Sequence, residues 1–216
     1  MNKKNYHEEL EKKYGVERLG YMSGKRWRED PRGLLFSLSR YKFVSKILNG
    51  KQDVLEIGCG DGWFSRIVRQ TVKNLTISDI DKIFLESAKK RERRWKFKFL
   101  HHDMLKKSTN KKFDGIYLLD VLEHIEKKKE NKFLKNISNS LKKNGILITG
   151  TPSLEFQKYV KYPDPTHVNC KTKNELEKTL SKYFNNVFIF SMNDELVHTG
   201  FEKMSNYFLT LCTNKK

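Results

Sequence analysis

A run of alternating glycines behind a short apolar segment is the first feature whose residue types suggest chemistry. The segment is VLEIGCGDGWF, residues 54–64. In it the acid Glu56 precedes Gly58, Gly60 and Gly62. Such glycines let the backbone approach a ligand closely, and a following helix points its N–H groups at an anion. A dinucleotide fingerprint would need glycine where Trp63 stands, and a Walker loop would need G-K-[ST]. The acid disfavours a pyrophosphate and suits a ligand with an ammonium group beside a carboxylate.

S-adenosylmethionine is such a ligand, and the motif E-x-G-x-G-x-G leads to a family. On this motif the sequence resembles the class I, Rossmann-like methyltransferases that use S-adenosylmethionine, over about residues 50–212. The later motifs of that family follow in order: LTISDID at 75–81, FLHHDM at 99–104, FDGIYLLDVLEHI at 113–125 and GILITGTPS at 145–153. The resemblance implies that S-adenosylmethionine is consumed and S-adenosylhomocysteine released.

The resemblance also implies roles for individual residues after the strands. Asp79 would receive the two ribose hydroxyls, with Ile80 beside it, and Asp81 would instead cap the next helix. Asp103 would meet the adenine amino group, with Met104 against the ring. Asp120 lies in the fourth-strand motif, beside the methionine part of the cofactor.

Three histidines are candidates for a general base, which a hydroxyl acceptor would need. His124 follows the fourth strand, His167 stands in the polar stretch 152–170, and His198 lies between the last two strands. Asp120, Glu123 and His124 also form an alternative set of ligands for a divalent metal, although the leading expectation includes no metal.

The elements that must position these residues follow an alternating order. Strands are predicted at 53–57, 75–78, 95–100, 113–119 and 146–149, with helices after the first, second and fourth, including one over 81–93. This order predicts a doubly wound α/β fold with a mostly parallel, seven-stranded sheet and an antiparallel strand near the C-terminus. The third strand is expected at the sheet edge, because lysines interrupt its aromatics. A helical cap over residues 1–49 is expected to precede the cofactor-binding domain, residues 50–216.

The N-terminal and C-terminal parts carry further local signals. Residues 5–14 could form a helix, GYMSGKRWRED is expected to be a loop, and Asp30-Pro31 signals a helix start. Near the other end, Thr172 and Glu175 form a capping box. Strands at 187–190 and 207–212 are expected to pair antiparallel, because no crossover helix is predicted between them.

The charge balance bears on partners. Lys and Arg number 44 against 26 Asp and Glu, giving a formal net charge of +18. Such a surface attracts polyanions, although an A/T-rich coding sequence would give the same excess of lysine. The run KKRERRWKFK has the aromatic interleaving of a nucleic-acid patch, and it also fits an edge strand.

Other classes are not favoured. No apolar run approaches the roughly 18–20 residues of a membrane span, and the first residues contain no apolar signal-peptide core. The three widely spaced cysteines suggest neither a disulfide framework nor a zinc site, and we expect a cytoplasmic protein.

The sequence therefore predicts a methyltransferase that O-methylates a sugar, a surface-glycan precursor or a similar small polar metabolite, phosphorylated or nucleotide-linked in view of the charge. Aromatics expected around the pocket fit such a substrate: Tyr21, Trp27, Phe156, Tyr159, Tyr162 and Phe201. Two alternatives remain open, an RNA or nucleoside methyltransferase and a non-catalytic cofactor-binding protein of the same fold. The oligomeric state is not predicted.

Overall fold

One large sheet with helices on both faces organises the protein. The computed structural model describes residues 3–91 and 94–216. The strands are β1 Asp53–Ile57, β2 Asn74–Asp79, β3 Lys98–His101, β4 Phe113–Leu119, β5 Leu141–Pro152, β6 Phe184–Asn193, β7 Leu196–His198 and β8 Tyr207–Lys215. The helices are α1 Lys3–Tyr14, α2 Tyr21–Glu29, α3 Arg32–Ile47, α4 Ser65–Arg69, α5 Lys82–Arg91, α6 Lys127–Ser140, α7 Leu154–Gln157 and α8 Lys173–Leu180. Short 3₁₀ turns cover Leu122–His124 and Glu202–Met204.

The strand order is β3-β2-β1-β4-β5-β8-β6-β7 in an eight-stranded sheet. Strands β1 to β5 pair in parallel, while β8 runs antiparallel between β5 and β6. This confirms the predicted α/β fold with its antiparallel C-terminal strand. The additional strand is β7, which pairs antiparallel with β6 in the connection after β6. Strand β3 lies at the edge, and its first residue Lys98 and the preceding Lys96 are both exposed, as expected at an edge.

Strands β1 and β4 are buried on both faces, which explains their nearly continuous apolar sequences. Their side chains alternate between two core clusters, one under α3, α4 and α5 and the other under α6 and α8. In β1, Val54 belongs to the first cluster and Leu55 to the second. Helix α3 contributes Tyr41 and Val44 to the first cluster, so it packs directly on the sheet.

One prediction for the N-terminal part is wrong. The segment predicted as a loop is helix α2, because the carboxylate of Asp61 accepts hydrogen bonds from the backbone N–H groups of Met22 and Ser23, both at 2.9 Å. A helix whose first N–H groups are satisfied from a distant loop gives no local signal. The helix start predicted at Asp30-Pro31 is confirmed, although Pro31 takes the cap position and the Asp30 carboxylate pairs with Arg32 Nε at 2.9 Å.

The predicted helix over 81–93 is α5, which ends at Arg91; residues 92 and 93 lie outside the described residues. The third strand begins later than predicted and leaves out Trp95. Strand β5 begins earlier than the predicted residue 146, since it pairs with β4 at Leu141 and again from Ile146, with an irregularity between them. The capping box at Thr172 and Glu175 is confirmed.

Because β1 to β5 are parallel, their carboxyl ends meet at one edge of the sheet, where open α/β folds bind ligands. The segment after β5 returns to that edge. Its ends are held together by a bridge between Ser153 and Lys171, and the Leu154 N–H donates to the Lys171 carbonyl at 2.9 Å. Among the described residues, no helix is long and apolar enough to cross a membrane.

Candidate functional site

The glycine loop between β1 and α4 has the backbone shape that only glycine adopts easily. Gly58, Gly60 and Gly62 have φ angles of +72°, +51° and +64°. The N–H groups of Gly58 and Cys59 both donate to the carbonyl of Ser78, at 2.9 and 3.0 Å. These bonds fix the loop over the end of β2.

The three glycines differ in what a side chain would meet. A Cβ at Gly58 would lie 2.4 Å from Val121 Cγ2, and one at Gly62 would lie 3.0 Å from Ile77 Cδ1. A Cβ at Gly60 would meet nothing within 4 Å. Gly60 is therefore the position at which the loop backbone borders open space, as close approach by a ligand requires.

Asp79 lies at the end of β2 and closes the loop from the other side. Its Oδ2 accepts from the Gly60 N–H and its Oδ1 from the Asp81 N–H, both at 2.9 Å. Burial raises the pKa of this carboxyl, against the hydrogen bonds that lower it. Since each carboxylate oxygen accepts more than one hydrogen bond, the side chain keeps capacity for a ligand's hydroxyls. Asp81 has a separate role, because its Oδ1 accepts from the Ile83 N–H at 3.0 Å and so caps α5.

Glu56 points into the core instead of towards a ligand. Its carboxylate is 1% exposed and accepts hydrogen bonds from Tyr41 Oη at 2.6 Å and Tyr117 Oη at 2.7 Å. Burial raises the pKa of the Glu56 carboxyl. In this structure the acid anchors β1 to α3 and β4, which corrects the expectation that it faces an ammonium group.

The residues expected around the adenosine differ in how far they are exposed. Ile80 is 69% exposed just beyond β2. Asp103 is half-buried after β3, and its Oδ1 accepts from the Leu105 N–H at 2.8 Å. Met104 is 2% exposed within the core cluster under α6, so almost none of its side chain is open to a ring in this structure. A thioether at that position completes the core, because the chain turns inward after Asp103.

Asp120 follows β4 in the left-handed region, at φ +55°. Its carboxylate binds Arg40 Nη1 through both oxygens, at 2.9 and 3.1 Å. The Arg40 guanidinium lies 3.7 Å from the centre of the Tyr207 ring. Asp120 thus remains at the sheet edge, paired with a cation that α3 supplies.

His124 and His167 come together beyond β4 and β5. Their ring centres are 5.0 Å apart. His124 Nδ1 lies 3.0 Å from the Thr166 carbonyl and His167 Nδ1 lies 3.2 Å from Gln157 Oε1. Because the Thr166 carbonyl can only accept, His124 Nδ1 carries the proton and His124 Nε2 keeps its lone pair when the ring is neutral. The contact of His167 Nδ1 with Gln157 Oε1 favours the same tautomer, and His167 Nε2 lies 4.0 Å from Asp164 Oδ2. The pKa of His167 is lowered, first by burial and then by the neighbouring His124.

Glu123 completes this cluster from below. One carboxylate oxygen of Glu123 and one nitrogen of each histidine all lie within 4.8 Å of one another. Glu123 is fully buried; its Oε2 accepts from Thr151 Oγ1 at 3.2 Å, while its Oε1 has no hydrogen-bond partner among the described residues. Burial and, next, the charge of Asp120 raise the pKa of the Glu123 carboxyl to about 8.

This arrangement could hold a divalent cation. Histidines that bind metals usually donate their second N–H to an oxygen, as both do here, and a cation would compensate the orphaned carboxylate oxygen. The set differs from the alternative read from the sequence, because His167 joins Glu123 and His124 while Asp120 is paired with Arg40.

His198 is not free to act as a base. The Gly200 N–H donates to its Nδ1 at 2.9 Å, and its Nε2 lies 2.8 Å from Asn193 Oδ1. The first bond requires an unprotonated Nδ1, so Nε2 carries the proton and donates to Asn193. With both nitrogens engaged in the β6–β7 hairpin, His198 has a structural role, and the expectation of a base is wrong.

A buried polar network holds the segment that carries His167. Lys171 Nζ lies 2.7 Å from Glu130 Oε1 and donates to Asn169 Oδ1 at 2.8 Å. Asn169 in turn donates its backbone N–H to the Glu123 carbonyl at 2.9 Å and its side-chain amide to Ile125 and Glu130, both at 2.9 Å. The network ties the segment after β5 to the turn that presents His124.

Sequence reasoning missed these supporting residues. Buried lysine and glutamate give no periodic signal, and only the position of Lys171 next to the HVNC stretch could have drawn attention to it. Arg40 looks like any exposed arginine of an amphipathic helix. Asp61 could have been found as an acid inside the glycine loop, although not as the residue that caps α2.

Comparisons with known proteins bear on the domain and the fold. Residues 55–149 match the family described as "Methyltransferase domain". The chain is 27% identical over 124 residues to the ubiquinone biosynthesis O-methyltransferase of Rickettsia canadensis, and this alignment covers 56% of this chain and 50% of that protein. It is 32% identical over 111 residues to the protein of the same name from Pelagibacter ubique, covering 50% and 45%. The chain thus spans about half the length of the curated relatives it matches.

The fold matches that of solved methyltransferases. N-methyltransferase NodS from Bradyrhizobium japonicum WM9, in complex with S-adenosyl-l-homocysteine, superposes with a TM-score of 0.65 at 21% identity, over 97% of this chain and 98% of that one. Residues 55–149 therefore match a methyltransferase domain, and the fold of the chain is that of the class I, Rossmann-like methyltransferases.

Proposed function

We propose that the protein transfers a methyl group from S-adenosylmethionine to a hydroxyl of a small polar metabolite, a sugar or a nucleotide-linked sugar precursor. The observation that carries the proposal is the pair His124 and His167 beyond the ends of β4 and β5, whose Nδ1 atoms both face oxygen atoms and leave Nε2 as the nitrogen to take a proton. A hydroxyl acceptor must lose its proton as the O–C bond forms, whereas an amine needs less help.

The cofactor would lie at the carboxyl edge of the sheet. Gly60 gives the open backbone position, Asp79 offers carboxylate capacity for the ribose, and Ile80 and Asp103 flank the place expected for the adenine. When bound there, the cofactor supplies a sulfonium-activated methyl carbon that is already electrophilic. The protein's own contribution is then to align the acceptor for in-line attack.

The histidine pair would take the proton of the acceptor. The lowered pKa of His167 keeps its ring neutral at physiological pH, which a base requires. If a divalent cation occupies Glu123, His124 and His167, it would supply positive charge that stabilises an oxyanion. The mechanism with a cation and the mechanism without one use the same residues, but only the first would be inhibited by a chelator.

The substrate class rests on the entrance to this site. Phe156, Tyr159 and Phe201 are exposed on the segments around it, among amide and hydroxyl groups that suit a sugar. The curated relatives are named as O-methyltransferases, which supports a hydroxyl acceptor. The high net charge favours a phosphorylated or nucleotide-linked form of the acceptor.

The test is single turnover with an acceptor found by screening sugars and nucleotide sugars, with RNA and small amines as comparison acceptors. His124→Ala and His167→Ala should each lower the rate by about 10²–10⁴-fold while cofactor affinity stays nearly constant. His198→Ala is the matched control and should keep a rate within about threefold of the wild type.

Each other outcome points elsewhere. Full rates in both His124→Ala and His167→Ala would contradict the proposed base and favour an amine acceptor. Methylation of RNA alone would support the nucleic-acid alternative. Cofactor binding without turnover on any acceptor would support a non-catalytic protein of the same fold.

A further inference from the structure

A groove between α2 and α5 lies outside the residues assigned to the methyl-transfer site. Its volume is about 660 Å³, within the range of small-molecule sites. It contains none of the glycines of the loop and none of the acids after the strands. Two residues expected at the substrate pocket, Tyr21 and Trp27, line this groove instead.

The groove is strongly basic. Its walls carry four cationic side chains, from Arg18, Arg28, Lys90 and Arg91, against the single carboxylate of Glu86. Among the residues that the structure describes, none of the four cations forms an ion pair with a carboxylate. Cations gathered on one concave surface without partners create a positive potential that attracts anions.

Arg91 shows that this charge is built into the fold. Its Nη1 donates to the Leu19 carbonyl at 3.3 Å and its Nη2 to the Asp61 carbonyl, while its Nε is buried and has no hydrogen-bond partner among the described residues. Burial lowers the pKa of the guanidinium, against the charges of Asp61 and Glu17 that raise it. Carbonyl groups therefore hold the cation in place, and an anion in the groove would add a direct ion pair that the described carboxylates do not form with it.

Flat aromatic surface accompanies the charge. Tyr21 is 59% exposed and Trp27 is 57% exposed, although both side chains line the groove. The centres of the Tyr21 and Phe84 rings are 6.5 Å apart, so Tyr21 lies beside the Phe84 ring. Exposed rings of this kind stack on nucleobases, and neighbouring arginines and lysines bind phosphates.

We propose that the α2–α5 groove binds a nucleotide, with the base against Tyr21 or Trp27 and the phosphates on Arg28, Lys90 and Arg91. The same chemistry would come from a nucleoside diphosphate group on a small molecule or from a nucleic-acid strand. Asp61 connects the groove to the glycine loop, because its carboxylate caps α2 and its carbonyl accepts from Arg91. The proposal does not rest on methyl transfer, since binding is measured with neither cofactor nor acceptor.

The experiment titrates the intact chain with uridine diphosphate, with a ten-nucleotide single-stranded RNA and with inorganic phosphate, by calorimetry at two salt concentrations. The double substitution Arg28→Ala/Lys90→Ala should weaken nucleotide binding by at least about tenfold. The matched control is Lys42→Ala/Lys46→Ala, which removes the same charge from exposed positions of α3. Trp27→Phe should abolish the change in tryptophan fluorescence on binding and keep the affinity within about threefold.

The outcomes are distinct. A loss in the groove variant with unchanged binding in the control supports the site. If uridine diphosphate then binds as tightly as RNA, the natural ligand is a small molecule with a nucleoside diphosphate group. If RNA binds more tightly and with a steeper salt dependence, the natural ligand is a nucleic-acid strand. Equal losses in both double variants, or no binding of either nucleotide ligand by the wild type, would overturn the proposal.

Discussion

At the scale of single residues, the glycine loop separates glycines that serve the fold from one that serves a ligand. Gly58 needs its missing side chain because Val121 fills the space, whereas Gly60 borders open space and donates its N–H to Asp79. Both have positive φ angles, so both substitutions carry a backbone cost of roughly 1–2 kcal/mol. Only one of the two positions faces the proposed cofactor.

Gly60→Ala should therefore weaken S-adenosylmethionine binding by at least about tenfold and lower the unfolding free energy by roughly the backbone cost alone. Gly58→Ala, the matched control, should lower the unfolding free energy further, because its Cβ collides with Val121. Calorimetric titration and urea unfolding of the two variants measure both effects. Cofactor affinity unchanged in Gly60→Ala would contradict the placement of the cofactor over this loop.

At the scale of elements, two histidines from distant segments meet because a buried ion pair holds one segment against the other. Lys171 and Glu130 are both about 5% exposed and share Asn169, which also binds the backbone around His124. A buried pair of this kind adds little net stability, but removing one partner leaves an uncompensated charge. We expect its main effect to be the position of His167.

Lys171→Met should lower the unfolding free energy by about 3–5 kcal/mol, since the buried Glu130 carboxylate would lose its cation. The double variant Glu130→Leu/Lys171→Met should recover most of that loss, because an apolar pair replaces the charges. Turnover should stay low in the double variant although stability returns, since Asn169 loses both of its side-chain partners. Recovery of both stability and turnover would show that the network does not position His167.

At the scale of the whole molecule, buried carboxyl groups make stability depend on pH near neutrality. The pKa of Glu123 is raised to about 8 from 4.5, and those of Glu56 and Asp79 are raised as well. A folded state with a raised acid pKa binds more protons than the unfolded chain, so this contribution falls as pH rises from about 4.5 to about 8. His167, with its lowered pKa, acts in the opposite sense and only below about 6.5.

The melting temperature of the wild type should therefore fall between about pH 6.5 and 8, and the melting temperature of Glu123→Gln should fall less over the same interval. Thermal unfolding in buffers of constant ionic strength measures the two slopes. A divalent cation that binds Glu123, His124 and His167 should stabilise the wild type more at pH 8 than at pH 6.5, because protons compete with it. Identical pH slopes for the wild type and Glu123→Gln would show that Glu123 does not titrate in this window.

The sequence by itself determined the succession of strands and helices along the chain, the edge position of β3 and the glycine loop. These follow from signals a few residues long: apolar runs, lysines between aromatics, and glycines at fixed spacing. The capping box of α8 is also local, since Thr172 and Glu175 satisfy each other's backbone groups. The family resemblance rests on the same short motifs, which explains why it agrees with the fold.

Only the tertiary structure decided which of the motif residues face the site. Glu56 and Met104 belong to expected motifs, yet packing against tyrosines and α6 turns both inward. The three histidines are equivalent in the sequence, and the structure separates His124 and His167 from His198 by the hydrogen bonds of their nitrogens. The physical reason is distance along the chain: whether a side chain keeps a free lone pair depends on partners from other segments, and no local pattern records them.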